Sequence, residues 1–160
     1  MSEPVEVYPF FTPSFLSQWH RAFFSLHGHD FVCAEQWMMY RKAQLFGDEA
    51  MAARILSATA PHDHKRMGQN VRGFVADVWD AEKHGIVFEG NLAKFGQNAG
   101  LRKKLLATGD ALLVEANPKD FIWGAGLSAD DPDIEYPSRW LGQNLLGYIL
   151  TDVRGQLAQA

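Results

Sequence analysis

Three observations predict an α+β fold that is mostly helical and has a small β-sheet. Apolar side chains recur at helical spacing through most of the chain. One short apolar run, residues 111–116, is bounded by turn-forming residues and indicates a buried strand. The length of 160 residues matches about one domain. We therefore expect residues 1–160 to form a single domain around its own core.

In the first half of the chain, the pattern of residue types changes near Ala34. Before it, aromatic residues interrupted by Pro and Gly predict short strands and loops. From Ala34 a helix of about three turns is predicted, because apolar residues recur at helical spacing until Gly47. Asp48 is placed to cap a second helix, which Pro61 is expected to end.

Three further helices are predicted in the second half. Residues 80–95 interleave apolar and polar side chains at helical spacing, although Gly85 and Gly90 weaken the pattern. Residues 101–106 indicate a short helix that precedes the predicted strand. A closing helix is predicted over residues 141–157, with its apolar side chains on one side.

The composition excludes several classes of protein. With 47% hydrophobic and 21% charged residues, the chain is not of the disordered type. A formal net charge of −4 gives no general reason for tight binding to a phosphate backbone. The single cysteine, Cys33, excludes an internal disulfide and fits a reducing compartment. With an acidic start and no long apolar run, we expect a cytoplasmic monomer or small oligomer without a membrane segment.

No metal or cofactor is predicted. The pairs His27/His29 and His62/His64 lack a nearby third ligand at zinc spacing. The sequence contains no Walker, G-x-G-x-x-G or G-x-S-x-G string, so the P-loop, dinucleotide-binding and serine-hydrolase classes are not indicated.

The segment that begins at Ala34 places an acid and an amine on one helix face. Glu35 and Lys42 are seven positions apart, which brings them to within about 20° of each other around the helix. They share that face with Met38 and Met39. Two interpretations remain open: both groups reach solvent at the edge of the apolar stripe, or they form a carboxylate and lysine pair in a pocket.

Two of the five tryptophans stand beside polar and turn-forming residues, namely Trp79 and Trp123. Their flat faces could stack on a heteroaromatic base, a contact worth about 1–3 kcal/mol per base in nucleic-acid binders. The alternative is that each tryptophan is a core residue.

Together these strings resemble the NADAR (YbiA-like) family, from about residue 15 to residue 157. The individual strings are short, but their order and spacing are specific. They are Ser17-Gln18-Trp19, Ala34-Glu35-Gln36-Trp37-Met38-Met39 with Lys42-Ala43, Val78-Trp79-Asp80 with Lys83, residues 91–98, residues 113–116, Asp120 with Trp123-Gly124-x-Gly126, Trp140-x-Gly142-x-Asn144-x-x-Gly147, and Val153-Arg154.

The resemblance implies an N-glycosidase that hydrolyses the bond between ribose C1 and a base nitrogen. In one branch of the family the substrates are phosphorylated aminopyrimidine intermediates of riboflavin biosynthesis, and this small-molecule substrate is our leading hypothesis. In another branch the enzyme removes ADP-ribose from guanine in nucleic acid. A third hypothesis is a non-catalytic module that binds NAD-like or ADP-ribose ligands.

The resemblance also implies roles for particular residues. The motif glutamate falls on Glu35 and would stabilise positive charge at C1, while the helix lysine falls on Lys42 and would act as a nucleophilic amine or as an ammonium group. The expected substrate-binding residues are Gln18, Trp19, Trp79, Asp120, Trp123, Gly124 and Asn144. Many members read Glu-His-Tyr-Phe-Gln where this chain reads Glu35-Gln36-Trp37-Met38-Met39, so no imidazole is available at that position.

Overall fold

The computed structural model describes residues 3–160, which form six α-helices and four β-strands. The predicted helix-rich α+β fold is confirmed. The strands form two separate two-stranded sheets rather than one. The chain divides into two compact units: the central unit is residues 18–98, and the terminal unit is residues 3–17 with residues 99–160. Organisation as one domain stays a prediction.

The terminal unit is built on a parallel pair of strands. Strand β1 (Val7–Phe10) pairs with β4 (Leu112–Glu115), as the apolar run at residues 111–116 predicts. Helix α6 (Leu145–Ala158) packs on β4 and on α5 (Ala99–Ala107), and a short 3-10 turn spans Pro137–Arg139. The core beside β4 consists of Val114, Ala116, Ala125, Leu127 and Ile134.

The central unit begins with a hairpin and continues with four helices. Strands β2 (Phe24–Leu26) and β3 (His29–Phe31) pair antiparallel. His27 and Gly28 connect them with φ values of 50° and 79°, as the tightest hairpin turns require. The helices are α1 (Ala34–Leu45), α2 (Glu49–Ser57), α3 (Pro61–Gln69) and α4 (Ala76–Gln97).

Helix α1 is the centre of this unit and contacts each of the other three helices. Two glycines make the close approach possible, since a Cβ at Gly68 would overlap the sulfur of Met39 and one at Gly90 would overlap the indole of Trp37. The indole N–H of Trp37 donates to the carbonyl of Ile86, 2.8 Å away. These contacts fix the position of helix α1 against α3 and α4.

The predicted bounds of α1 and the predicted start of α2 are confirmed, but the predicted end of α2 is wrong and α3 was missed. Gly47 follows α1 with a φ of 72°, and Asp48 accepts a hydrogen bond of 3.1 Å from the N–H of Met51. Helix α2 ends at Ser57, before Pro61. Pro61 instead begins α3, because proline fits the first turn of a helix, where its missing N–H needs no partner.

The closing helix begins at Leu145, four residues later than predicted. Asn144 has a left-handed conformation with a φ of 51°, which interrupts helical geometry. Before it, the N–H groups of Gly142 and Gln143 donate to the carbonyls of Ala125 and Phe121. Among residues 3–160, no helix combines the length and the hydropathy needed to cross a bilayer.

Candidate active site

Helix α1 carries the predicted acid and amine. Glu35 lies in its first turn, is only 6% exposed, and donates its backbone N–H to the carbonyl of Gln18 over 3.0 Å. Lys42 lies two turns later and is half-buried. The burial of Glu35 is inconsistent with the interpretation that both groups extend into solvent from the edge of the stripe.

The amine of Lys42 lies among aromatic rings. Its Nζ is 4.7 Å from the ring centroid of Phe74 and 5.6 Å from that of Trp79. Within residues 3–160 it makes no hydrogen bond and has no carboxylate within 4.0 Å. Burial lowers the pKa of Lys42 below its ordinary value of 10.5, and the charge of Glu35 opposes that shift. The environment thus favours a larger fraction of neutral amine than an exposed lysine has.

Trp79 comes from the first turn of α4 and is half-buried. The segment before α4 brings Phe74 to the same amine. Sequence reasoning missed Phe74; the available signal was an aromatic residue directly after a glycine, five positions before Trp79. The structure therefore brings Glu35, Lys42 and Trp79 together and adds Phe74.

Gln18 is buried beside α1 and α4. Its Oε1 accepts a hydrogen bond of 2.8 Å from Asn91 Nδ2, and its Nε2 lies 4.0 Å from the sulfur of Met38. Asn91, which sequence reasoning also missed, is fully buried, and its Oδ1 has no hydrogen-bond partner among residues 3–160. The neighbouring Trp19 is half-buried. These contacts fix the side chain of Gln18, and its backbone carbonyl fixes the start of α1; contact of Gln18 with substrate stays a prediction.

In the terminal unit, Asp120 organises the turn that carries Trp123 and Gly124. Its Oδ1 accepts hydrogen bonds from the N–H groups of Ile122 (3.0 Å) and Trp123 (2.8 Å). A Cβ at Gly124 would lie 3.0 Å from the carbonyl oxygens of both Asp120 and Glu115, so the turn requires glycine. Trp123 is half-buried. These three predicted residues form one local structure.

Asn144 is completely buried in the terminal unit. Its Oδ1 accepts a hydrogen bond of 2.9 Å from the N–H of Glu115, and its Nδ2 donates to the carbonyl of Leu113 over 3.1 Å. The side-chain amide thus attaches β4 to the start of α6. This is a structural role that the sequence did not reveal, and contact of Asn144 with substrate stays a prediction.

The histidines are engaged elsewhere. His27 Nε2 lies 2.6 Å from Glu89, and His64 Nδ1 lies 3.6 Å from the Cys33 sulfur while Nε2 donates to the carbonyl of Ala58. Over the described part of the chain, residues 3–160, no three His, Cys, Asp or Glu side chains are grouped as metal ligands would be.

Residues 10–158 match the model of the NADAR domain family, and the chain belongs to that family. It is 43% identical over 148 residues to N-glycosidase R617 of Acanthamoeba polyphaga mimivirus, a match that covers 89% of this chain and 87% of that protein. It is also 36% identical over 119 residues to N-glycosidase YbiA of Shigella boydii serotype 4, covering 74% of this chain and 68% of the relative.

A solved structure shares the fold. The NMR structure of the Escherichia coli protein YbiA superimposes with a TM-score of 0.79 and 28% sequence identity, covering 98% of this chain and 88% of that one. The family resemblance, the fold and the prediction of an N-glycosyl hydrolase are confirmed. The substrate and the individual roles of the site residues stay predictions.

Proposed function

We propose that this chain hydrolyses the ribosyl C1–N bond of a phosphorylated aminopyrimidine riboside and releases the base and a ribose phosphate. The observation that carries the proposal is the position of the Lys42 amine, near the rings of Phe74 and Trp79 and in the field of the buried Glu35. A ligand that only had to be stacked and held would need neither group.

Glu35 stabilises the charge that the reaction creates. Breaking the C1–N bond builds positive oxocarbenium character at C1, and a preorganised carboxylate in a site from which water is excluded stabilises that charge more than water does. The burial of Glu35 supports this role, because its first-turn position and its backbone hydrogen bond to Gln18 fix its location before substrate arrives.

Lys42 acts as the nucleophile in this proposal. The Nζ lone pair forms a bond to C1 as the C1–N bond breaks, and the bonding pair leaves with the base. The proton lost from Nζ balances the proton that the base gains. Opening of the ribose ring gives an imine, and water then releases the ribose phosphate and restores the amine. The lowered pKa of Lys42 supports this route over the alternative, an ammonium that holds a hydroxyl or phosphate.

The substrate contacts follow from residue chemistry. Trp79 in the central unit and Trp123 in the terminal unit each offer a flat face of the kind on which a base stacks. Asp120 has Oδ2 left for a sugar or base hydroxyl after Oδ1 has organised its own turn. Gln18, Trp19 and Gly124 are the other expected substrate-binding residues. At the start of α6, beside Asn144, the N–H groups of Leu145 and Leu146 already donate to the carbonyls of Ile122 and Trp123, so no phosphate is assigned to that helix end.

Removal of ADP-ribose from guanine in nucleic acid is the alternative function. The formal net charge of −4 favours the small substrate, because a polymer substrate is better served by a basic surface. The relatives named N-glycosidase favour hydrolysis over the third hypothesis, a module that only binds NAD-like ligands. A cytoplasmic location and a small-molecule partner are part of the same proposal.

One assay separates the two substrates. The protein is incubated with an aminopyrimidine ribosyl phosphate and, separately, with an oligonucleotide ADP-ribosylated on guanine, and release of ribose phosphate or ADP-ribose is followed by mass spectrometry. Lys42→Met, prepared identically, controls for contaminating hydrolases. We expect ribose phosphate from the first substrate only. Release of ADP-ribose alone would establish the alternative, and no release from either would contradict both.

A further inference from the structure

Phe74 is an exposed aromatic residue that is nevertheless held firmly. It is 46% exposed, yet the turn that carries it, residues 72–74, is fastened at three points. Such restraint of an exposed side chain indicates that its position matters. The restraints are therefore informative about what the ring does.

The first restraint is the carboxylate of Asp48. One oxygen, Oδ1, caps α2 through the N–H of Met51 (3.1 Å), and the other, Oδ2, accepts from the N–H of Arg72 over 2.9 Å. These two hydrogen bonds lower the pKa of Asp48, that from Arg72 more strongly. One side chain thus attaches the start of the turn to the start of α2.

The second restraint is the backbone of Gly73. Its φ is 79°, a left-handed conformation in which side chains are strained. A Cβ at this position would also lie 3.2 Å from the carbonyl oxygen of Phe46. The turn can approach the end of α1 this closely only because residue 73 is glycine.

The third restraint is the ring of Phe46, which meets that of Phe74 edge to face, with centroids 5.4 Å apart and an interplanar angle of 67°. Phe46 follows Lys42 by four positions at the end of α1, and residues at this spacing share a helix face. The ring that holds Phe74 and the amine that Phe74 contacts therefore project from the same side of α1.

We infer that Phe74 is a positioning residue for Lys42: its ring, fixed by the Asp48-anchored turn and by Phe46, acts with Trp79 to confine the Lys42 amine and to exclude water from it. The inference rests on the proposed function in one respect, that Lys42 acts on the substrate. Phe74 itself does no chemistry. It sets where the amine points and how well the ammonium form is solvated.

Two effects of the ring oppose each other. The electron-rich face of an aromatic ring stabilises an ammonium group, whereas exclusion of water disfavours the ammonium. Burial is the largest influence on Lys42, and it lowers the pKa. We expect exclusion of water to be the larger of the two effects, so removal of the ring should raise the pKa of Lys42. The charge that acts on this amine is that of Glu35, which stays in place in every variant below.

The test measures the amine directly. The lysines of wild type, Phe74→Ala and Phe74→Leu are labelled by reductive ¹³C-methylation, and the Lys42 signal, assigned by its loss in Lys42→Met, is titrated by NMR without substrate. In Phe74→Ala we expect the titration midpoint to rise by about half a pH unit, which is roughly a threefold loss of neutral amine. Phe74→Leu still excludes water but lacks the aromatic face that favours the ammonium, so its midpoint should lie below that of Phe74→Ala.

Two further variants make the test specific. Gly73→Ala moves the turn without altering the ring and should shift the midpoint in the same direction. Phe23→Leu replaces another exposed phenylalanine of the central unit and should leave the midpoint unchanged. Denaturant unfolding confirms that each variant is folded before it is titrated.

The pH profile of kcat/KM for unlabelled protein separates this inference from the function on which it rests. With Phe74→Ala we expect its rising limb to move to higher pH by the same amount as the NMR midpoint. If the NMR midpoint of Lys42 shifts in Phe74→Ala but the pH profile of kcat/KM does not, the positioning role is kept and catalysis by Lys42 is contradicted. A midpoint that stays or falls in Phe74→Ala, while Lys42→Met is inactive, would overturn the positioning role and keep the function.

Discussion

Glu35 and Lys42 are seven positions apart on α1, and burial lowers the pKa of Lys42 while the charge of Glu35 opposes that shift. The two groups are therefore coupled: a change in one alters the protonation of the other. A substitution at Glu35 tests both its own role and its effect on the amine.

Glu35→Gln keeps the shape of the side chain and removes its charge. We expect kcat to fall by about 10²-fold, as for loss of one preorganised electrostatic group, with a much smaller change in ligand affinity. Because Glu35 no longer favours the ammonium, the rising limb of the pH profile should also move to lower pH. Steady-state kinetics and calorimetric binding of the product provide the measurements.

Glu82→Gln, at an exposed position of α4, is the matched control and should change neither quantity. Equal losses in turnover and affinity for Glu35→Gln would assign Glu35 to binding alone.

The proposed imine can be trapped. Addition of sodium borohydride during turnover should reduce it to a stable secondary amine, and peptide mapping by mass spectrometry should find the added ribosyl phosphate on Lys42. Lys42→Arg, which keeps the positive charge, should give neither adduct nor product. If product accumulates and Lys42 stays unmodified, the covalent route is wrong and Lys42 acts as an ammonium.

The sequence predicted α1 and its acid and amine face, because helical spacing depends only on residues near in the chain. Whether that face reached solvent could not be decided, since burial of Glu35 depends on elements that pack from distant parts of the chain. The contact of Phe74 with Lys42 could not be predicted from the sequence for the same reason. It depends on a turn that Asp48 holds from more than twenty residues away.

Helix α3 shows a second kind of failure. Its sequence is polar at most positions, so it offers no apolar stripe, and its proline was interpreted as an end. Gly68 allows α3 to pack closely against α1, because it fits beneath Met39. A glycine contact of this kind leaves no periodic pattern in the sequence. The left-handed conformation of Asn144, after which α6 begins, leaves none either.

The close contact of α4 with α1 predicts opposite effects at two glycines of one helix. A Cβ at Gly90 would overlap the indole of Trp37, whereas nothing in the described residues 3–160 lies within 4 Å of a Cβ at Gly85. Gly90→Ala should therefore destabilise the fold by about 1–3 kcal/mol through overpacking. Gly85→Ala should stabilise it by up to about 1 kcal/mol through helix propensity. Urea unfolding of both variants measures the difference, and stabilisation by Gly90→Ala would contradict the packing described.

Lys94, fully buried in α4, should make stability depend on pH. Burial lowers its pKa to about 7, against an ordinary value of 10.5, and the interaction with Cys33 opposes this shift. Above pH 7 the native state therefore releases a proton that the unfolded chain retains, so the free energy of unfolding should rise with pH by roughly 1 kcal/mol per unit.

The thiol of Cys33, whose pKa burial raises from 9.0 to about 11, has the opposite effect, but only above pH 9. Urea unfolding at pH 7, 8 and 9 isolates the lysine: Lys94→Met should lose most of the rise seen in the wild type, and parallel slopes for the two proteins would show that Lys94 keeps its proton in the native state.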